Sequence, residues 1–136
     1  MITYYQSQKV LAHVFGYTNY VPPSTLYIGL STQDPGVAGS NILEPSGNNY
    51  SRVGYSNDNG TADWSAPVEG ITTNISDVQF SKSTGAWGVI TYFFIADSSS
   101  GGNVLYYEIL STPITVETNS TVQFLAGDLT ITMTNS

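Results

Sequence analysis

A chain of 136 residues with net charge −7 and no cysteine is long enough to bury one real core, and it excludes disulfides, thiolate metal sites and thiol nucleophiles together. Hydrophobic residues make up 40%, which excludes a disordered tail, while charged residues reach only 10% against the roughly 25% usual in soluble domains. Lys9, Arg52 and Lys82 are the only fixed cations, too few and too dispersed to neutralise nucleic-acid phosphates or to dock on anionic lipid.

In chain order, the first signal is Thr3-Tyr4-Tyr5-Gln6, a capping-box match that opens a helix. Tyr4, Leu11 and Phe15 then fall together on a helical wheel, with Val14 at the edge of the stripe and Lys9 and His13 opposite. Gly16 is placed to end the helix in the left-handed conformation. The expected element is one short amphipathic helix over Tyr4 to Phe15. Pro22-Pro23 forbids its continuation.

Strands and turns fill the remainder. Thr25 to Ser31 alternates, with Leu26, Ile28 and Leu30 on one face. Gln33 to Asn49 is a long loop punctuated by Asp34-Pro35-Gly36, Gly39 and Glu44-Pro45-Ser46-Gly47, and a loop of that length usually has a function. Further strands are expected at Tyr50 to Tyr55, Ile71 to Ile75 and Val78 to Phe80. Val89 to Ala96 is apolar on both faces, as a central strand is. It should pair through the Asp97 to Gly102 tip with Asn103 to Leu110. Ile114 to Glu117, Val122 to Leu125 and Leu129 to Thr134 complete the set. The fold class is therefore all-β: an antiparallel β-sandwich of roughly eight short strands with one N-terminal amphipathic helix. A single domain spans 1–136, with the helix in 1–16 and the sandwich in 24–136. No heptad or internal repeat suggests a stalk or a β-helical shaft.

Several segments in order carry a resemblance: Tyr27-Ile28-Gly29-Leu30-Ser31-Thr32-Gln33-Asp34-Pro35, Glu44-Pro45-Ser46-Gly47, Tyr50-Ser51-Arg52-Val53, Ile71-Thr72-Thr73-Asn74, Val78-Gln79-Phe80, Gly85-Ala86-Trp87-Gly88 and Ala126-Gly127-Asp128-Leu129-Thr130-Ile131-Thr132. The chain resembles the family of small bacteriophage virion structural proteins labelled tail-fibre-like or minor structural proteins. The resemblance implies a virion component without catalytic activity or cofactor. It would be made in the host cytoplasm and carried on the outer surface of the particle, contacting the major capsid protein or tail proteins and other copies of itself. Its acidity places it away from packaged DNA. A compact acidic subunit without a shaft is expected as a head decoration, or cement, protein first. A tail-associated fibre-like or host-recognition module is the alternative, and a small cell-wall hydrolase the third reading.

The chemistry-bearing residues are weighed in that light. His13 is the only histidine, and its helical-face position, shared with Lys9, does not suggest a Ser–His–acid triad. Asn57, Asp58, Asn59, Gly60 and Asp63 offer oxygens around a turn, but not at calcium-loop spacing, and such residues turn unaided. No metal is expected. None of the ten acidic residues forms a recognisable glycosidase pair. Trp87, between Gly85 and Gly88, reads as core, and Trp64 as a surface contact. Asn74-Ile75-Ser76 and Asn119-Ser120-Thr121 match the glycosylation pattern but lack a visible secretory signal or membrane span. The candidate subunit contacts are Tyr4, Leu11 and Phe15 on the helix, Val37, Ile42 and Leu43 in the long loop, and Trp64. Arg52, the only arginine, is the candidate for an ion pair with Asp34 or Glu44 that pins this loop to the sheet.

Overall fold

The computed structural model describes residues 1–58 and 62–133. Asn59 and Gly60 of the turn and Thr134 of the last expected strand lie outside the described residues. Among the described residues one helix, α1 (Tyr4–Val14), precedes eight strands: β1 (Thr25–Ser31), β2 (Val53–Ser56), β3 (Ile71–Thr73), β4 (Val78–Gln79), β5 (Gly88–Ala96), β6 (Val104–Val116), β7 (Gln123–Phe124) and β8 (Thr130–Thr132). Every strand pairing is antiparallel, and the order β2-β1-β5-β6 makes the main sheet. Two small ladders, β3-β8 and β4-β7, supply material for the opposing layer. The molecule is the expected β-sandwich with one N-terminal helix.

The two-residue period of β5 sorts its side chains between two apolar clusters. Phe93 and Ile95 face the sandwich interior with Ile28, Leu30, Val78, Phe80, Trp87, Phe124 and Leu129. Phe94 and Ala96 face the other way, where Val104 and Tyr107 join them. A register shift lets Ile90 share the interior face with Phe93: Ile90 pairs with Ile114 and Tyr92 with Ile109, so Leu110 to Pro113 of β6 bulge opposite Thr91. Sequence signals split β6 in two at Ser111-Thr112-Pro113. The structure instead carries one strand across that point, because a bulge on an edge strand accommodates a proline with no N–H to donate. Trp87 lies in the core as expected, its Nε1 donating to Asn48 O at 2.9 Å.

The expected strand at Tyr50 to Tyr55 begins later, at Val53, because Tyr50 serves as a side-chain donor and acceptor beneath the loop (below). In the last strand, alternation holds for Leu129, which is buried, and Ile131, which is half-buried, while Met133 is exposed.

Residues Met1 to Thr3 bind the outer edge of β6: Thr3 N donates to Leu105 O at 3.1 Å and Tyr107 N donates to Met1 O at 3.0 Å. Thr3 is fully buried, and its Oγ1 donates to Val104 O at 2.6 Å while accepting from Gln6 N at 3.3 Å. The cap is thus made, but only one half of a capping box forms. The Gln6 side chain instead accepts from Tyr20 Oη, and the Thr3 N–H is spent on the sheet. Gly16 adopts φ +80°, as its place after the helix requires.

β1 carries a close approach. Gly29 stands beside Phe94 of β5, and a Cβ at residue 29 would lie 2.2 Å from Phe94 Cζ. Gly29→Ala is expected to lower the unfolding free energy by about 1–3 kcal/mol, the usual cost of overpacking. Urea denaturation checks this; an unchanged midpoint would mean that the Phe94 ring moves aside freely.

Candidate functional site

The four-stranded sheet has a second apolar face, and the long loop covers it. Val37 and Ile42 pack on Phe94, Ala96, Val104 and Tyr107, with Tyr92 beside them. Pro35 is buried, and the loop closes on itself: Thr32 N donates to Leu43 O at 3.0 Å, Asn41 N to Pro35 O at 3.1 Å and Gly39 N to Gly36 O at 2.8 Å. Ser31 Oγ accepts from Leu43 N at 3.1 Å. The apolar content of this loop therefore has an internal use. Of its three residues expected at a subunit contact, Val37 and Ile42 are half-buried against their own sheet, and only Leu43 is largely exposed, at 53%.

Arg52 holds this flap down. Its Nε donates to Glu44 Oε1 at 2.9 Å and its Nη2 to Glu44 Oε2 at 2.8 Å, a bidentate pair. Nη1 donates to two backbone carbonyls of the β5–β6 tip, Ser98 O at 2.7 Å and Gly101 O at 2.9 Å. The guanidinium sits 5.0 Å from the Phe94 ring centroid, a cation–π distance. The side chain is only 4% exposed, that of Glu44 25%. Asp34 stands outside this group: its carboxylate accepts from Gly36 N at 2.8 Å and shapes the turn of the loop.

Tyr50 completes the arrangement. Its hydroxyl donates to Glu44 Oε1 at 2.7 Å and accepts from Leu30 N of β1 at 3.0 Å. Burial, together with the neighbouring Glu44 charge, pushes the Tyr50 hydroxyl far above the ordinary tyrosine range. Tyr106 is likewise pushed up to about 12, chiefly by burial, with Glu108 adding to the effect and the N–H of Thr132 opposing it. Sequence reading found Arg52 and Glu44 from their charge and the loop between them. It missed the two carbonyls, because backbone acceptors leave no mark in a sequence, and it missed Tyr50 and Phe94, because their approach to Glu44 and Arg52 is set by strand pairing.

The helix presents a different surface. No residue of α1 is fully buried. Its apolar stripe faces water: Tyr4 is 61%, Leu11 56% and Phe15 72% exposed. The side turned to the sandwich carries Gln6 and Val10, over a cleft of about 480 Å³ that Trp64 also lines. Trp64 is half-buried, and its Nε1 is enclosed without a hydrogen-bond partner among the described residues. His13 Nδ1 accepts from Tyr20 N at 3.1 Å, which ties the segment after the helix back onto it. Among the described residues, no three His, Cys, Asp or Glu side chains gather as a metal-binding group. Asp63 accepts from Ser56 N at 3.1 Å, in keeping with a turn-forming role. No helix among the described residues is long and apolar enough to cross a membrane.

Residues 1–132 match the family described as Podophage GP4 fiber I protein gp80. The chain belongs to that family of phage fibre structural proteins. A search of curated proteins finds no match.

The first prediction concerns the flap. Arg52→Ala is expected to destabilise the protein by about 3–5 kcal/mol, since it leaves a partly buried carboxylate without its counter-charge, held by the Tyr50 hydroxyl alone, and takes the guanidinium donor from two carbonyls. Arg52→Lys should recover little, because one ammonium cannot span Glu44 and both carbonyls. Hydrogen exchange should accelerate in 33–49 and 97–103 before β5; uniform acceleration would mean that Arg52 supports the whole core rather than the flap. The second concerns alkaline pH. Folded Tyr50 and Tyr106 hold their protons more tightly than unfolded tyrosine, whose pKa is about 10. Their contribution to stability is complete below that pH and is lost as pH rises from about 10 toward the folded values. Tyr50→Phe and Tyr106→Phe should each flatten the fall in urea midpoint above about pH 10. An unaltered slope in both variants would refute the assignment.

Proposed function

We propose that the chain is a non-catalytic structural subunit of a phage tail fibre, carried on the outside of the particle and held there by contacts with other virion proteins and with copies of itself. The family match along nearly the whole chain carries this reading, because that family is described as a fibre protein. It favours the tail position over the head-decoration position that the compact, acidic sequence suggests by itself. The exposed helix stripe supports a contact role: large apolar side chains clustered in water on one helix face mark an interaction site more often than isolated ones do. A net charge of −7 disfavours contact with packaged DNA. The absence of a catalytic role is supported by the commitments of the polar groups, with His13 accepting from Tyr20 and Glu44 held by Arg52 and Tyr50.

Copy number decides between tail and head. Quantitative mass spectrometry of purified particles, with gold-labelled antibody in electron micrographs, should give few copies per particle and label on the tail. Stoichiometry close to that of the major capsid protein would overturn the fibre assignment in favour of head decoration. The helix stripe is tested separately with Leu11→Ser and Phe15→Ser. Both side chains are exposed, so stability should change by no more than about 0.5 kcal/mol while incorporation into particles falls. Normal incorporation of the double variant would remove α1 from the contact surface.

A further inference from the structure

We propose that copies of this chain exchange their N-terminal arms, so that residues 1–20 of one copy dock on β6 of the next. The partner is a second copy, and the surface is the outer edge of β6 from Val104 to Glu108 with the Val37 carbonyl of the long loop beside it.

Four observations lead there. Residues 1–20 form a unit bound to itself: Tyr17 N donates to Ala12 O at 2.8 Å, Tyr20 N to His13 Nδ1 at 3.1 Å and Tyr20 Oη to Gln6 Oε1 at 3.1 Å. By the hydrogen bonds of the described residues, the sandwich takes hold of the chain again at Pro23, whose carbonyl accepts from Asn57 Nδ2 at 3.0 Å, and at Ser24, whose carbonyl accepts from Asn57 N at 2.8 Å. Val21 and Pro22 lie between the two, and Val21 is 78% exposed. A hinge there leaves both sides intact.

The arm's docking contacts are all remote in sequence. Thr3 bonds with Val104 and Leu105, Met1 with Tyr107, and Tyr4 N with Val37 O. None of them fixes which copy supplies the arm. Exchange therefore conserves every one of these bonds, which is why swapping an identical element is a low-cost route to assembly. The helix itself opposes release only weakly, since none of its residues is fully buried and its inner side lies over the cleft described above. Finally, the Tyr4, Leu11 and Phe15 stripe faces water, so the outer side of the helix makes no packing that release would break.

Ile2 and Tyr106 face each other in an isolated antiparallel bridge. The flanking bonds, Thr3 N to Leu105 O and Tyr107 N to Met1 O, make it a non-hydrogen-bonded pair, in which side chains come closest and a disulfide fits. The chain has no cysteine of its own. The test is to co-express Ile2→Cys and Tyr106→Cys as two separate full-length chains, oxidise them, and run non-reducing denaturing electrophoresis. An exchanged arm gives a covalent pair of unlike chains that reduction abolishes, at several-fold the yield of either variant alone. Absence of that species overturns the proposal, provided both chains melt cooperatively. Should Tyr106→Cys fail to fold, the unmodified sequence decides: unfold and refold a mixture of isotope-labelled and unlabelled chains, then record filtered NMR contacts between Ile2 and Tyr106. Intermolecular contacts support exchange; contacts confined to one chain overturn it. Neither measurement involves the particle, so a head rather than a tail location would leave the result intact.

Discussion

One guanidinium, taken almost entirely out of water, sets the shape of the flap side of this protein. Moving a charge into the interior carries a penalty of several kcal/mol, which is offset only when every donor finds an acceptor. Arg52 comes close to that condition, placing four of its five N–H groups on the two oxygens of Glu44 and the carbonyls of Ser98 and Gly101, with the face of Phe94 beside them. The constraint runs in both directions. The loop must return to the sheet for Glu44 to reach Arg52, and the β5–β6 tip must curl so that its carbonyls converge. Phe94 must lie flat enough to receive the cation, which leaves room for nothing larger than glycine at residue 29. The second face of the sheet is covered as a result.

How much of this was legible in the sequence follows the physics of each signal. Strands β1 and β5 were readable because alternation and a two-faced apolar run report burial directly. The two-residue strands β4 and β7 were placed at the right segments but drawn too long, since Phe80 and Val122 continue the apolar pattern past the paired residues, keep one bond from Phe80 N to Val122 O at 2.9 Å and still enter the core. At β6, Pro113 gave a true signal of disrupted pairing but not its outcome, a bulge instead of a break. The loop was harder. Its apolar residues and Arg52 were visible, yet apolar residues in a loop are equally consistent with an outward contact and with an inward flap. The position of Phe94 on the far side of β5, which draws Val37 and Ile42 onto their own sheet, is a tertiary fact.

The helix shows the same limit from the other side. Its stripe, its cap and its terminating glycine follow from spacing, but spacing says only that one face is apolar, not which way that face turns. Here the strand-like pairing of Met1 to Thr3 with β6 orients the helix, and the stripe points outward. Function follows a similar division. Composition and charge removed nucleic acid, anionic membranes and thiol chemistry from consideration, and the ordered series of short segments pointed to phage particles. Head and tail could not be separated by these means, because a compact acidic sandwich with an exposed helix suits either place.

The bulge in β6 has a consequence for how copies can stack. An edge strand with free N–H and C=O groups invites another strand, and repeated addition leads to open-ended sheets and fibrils. In β6 the first stretch of edge is already occupied by residues 1–3. Beyond it, Ile109 N turns to the Glu108 carboxylate at 3.3 Å, and the backbone then departs from register through Pro113. Hydrogen-bonded addition of a further strand along the β6 edge is thereby disfavoured, so growth of the sheet in that direction is suppressed even where many copies are crowded together.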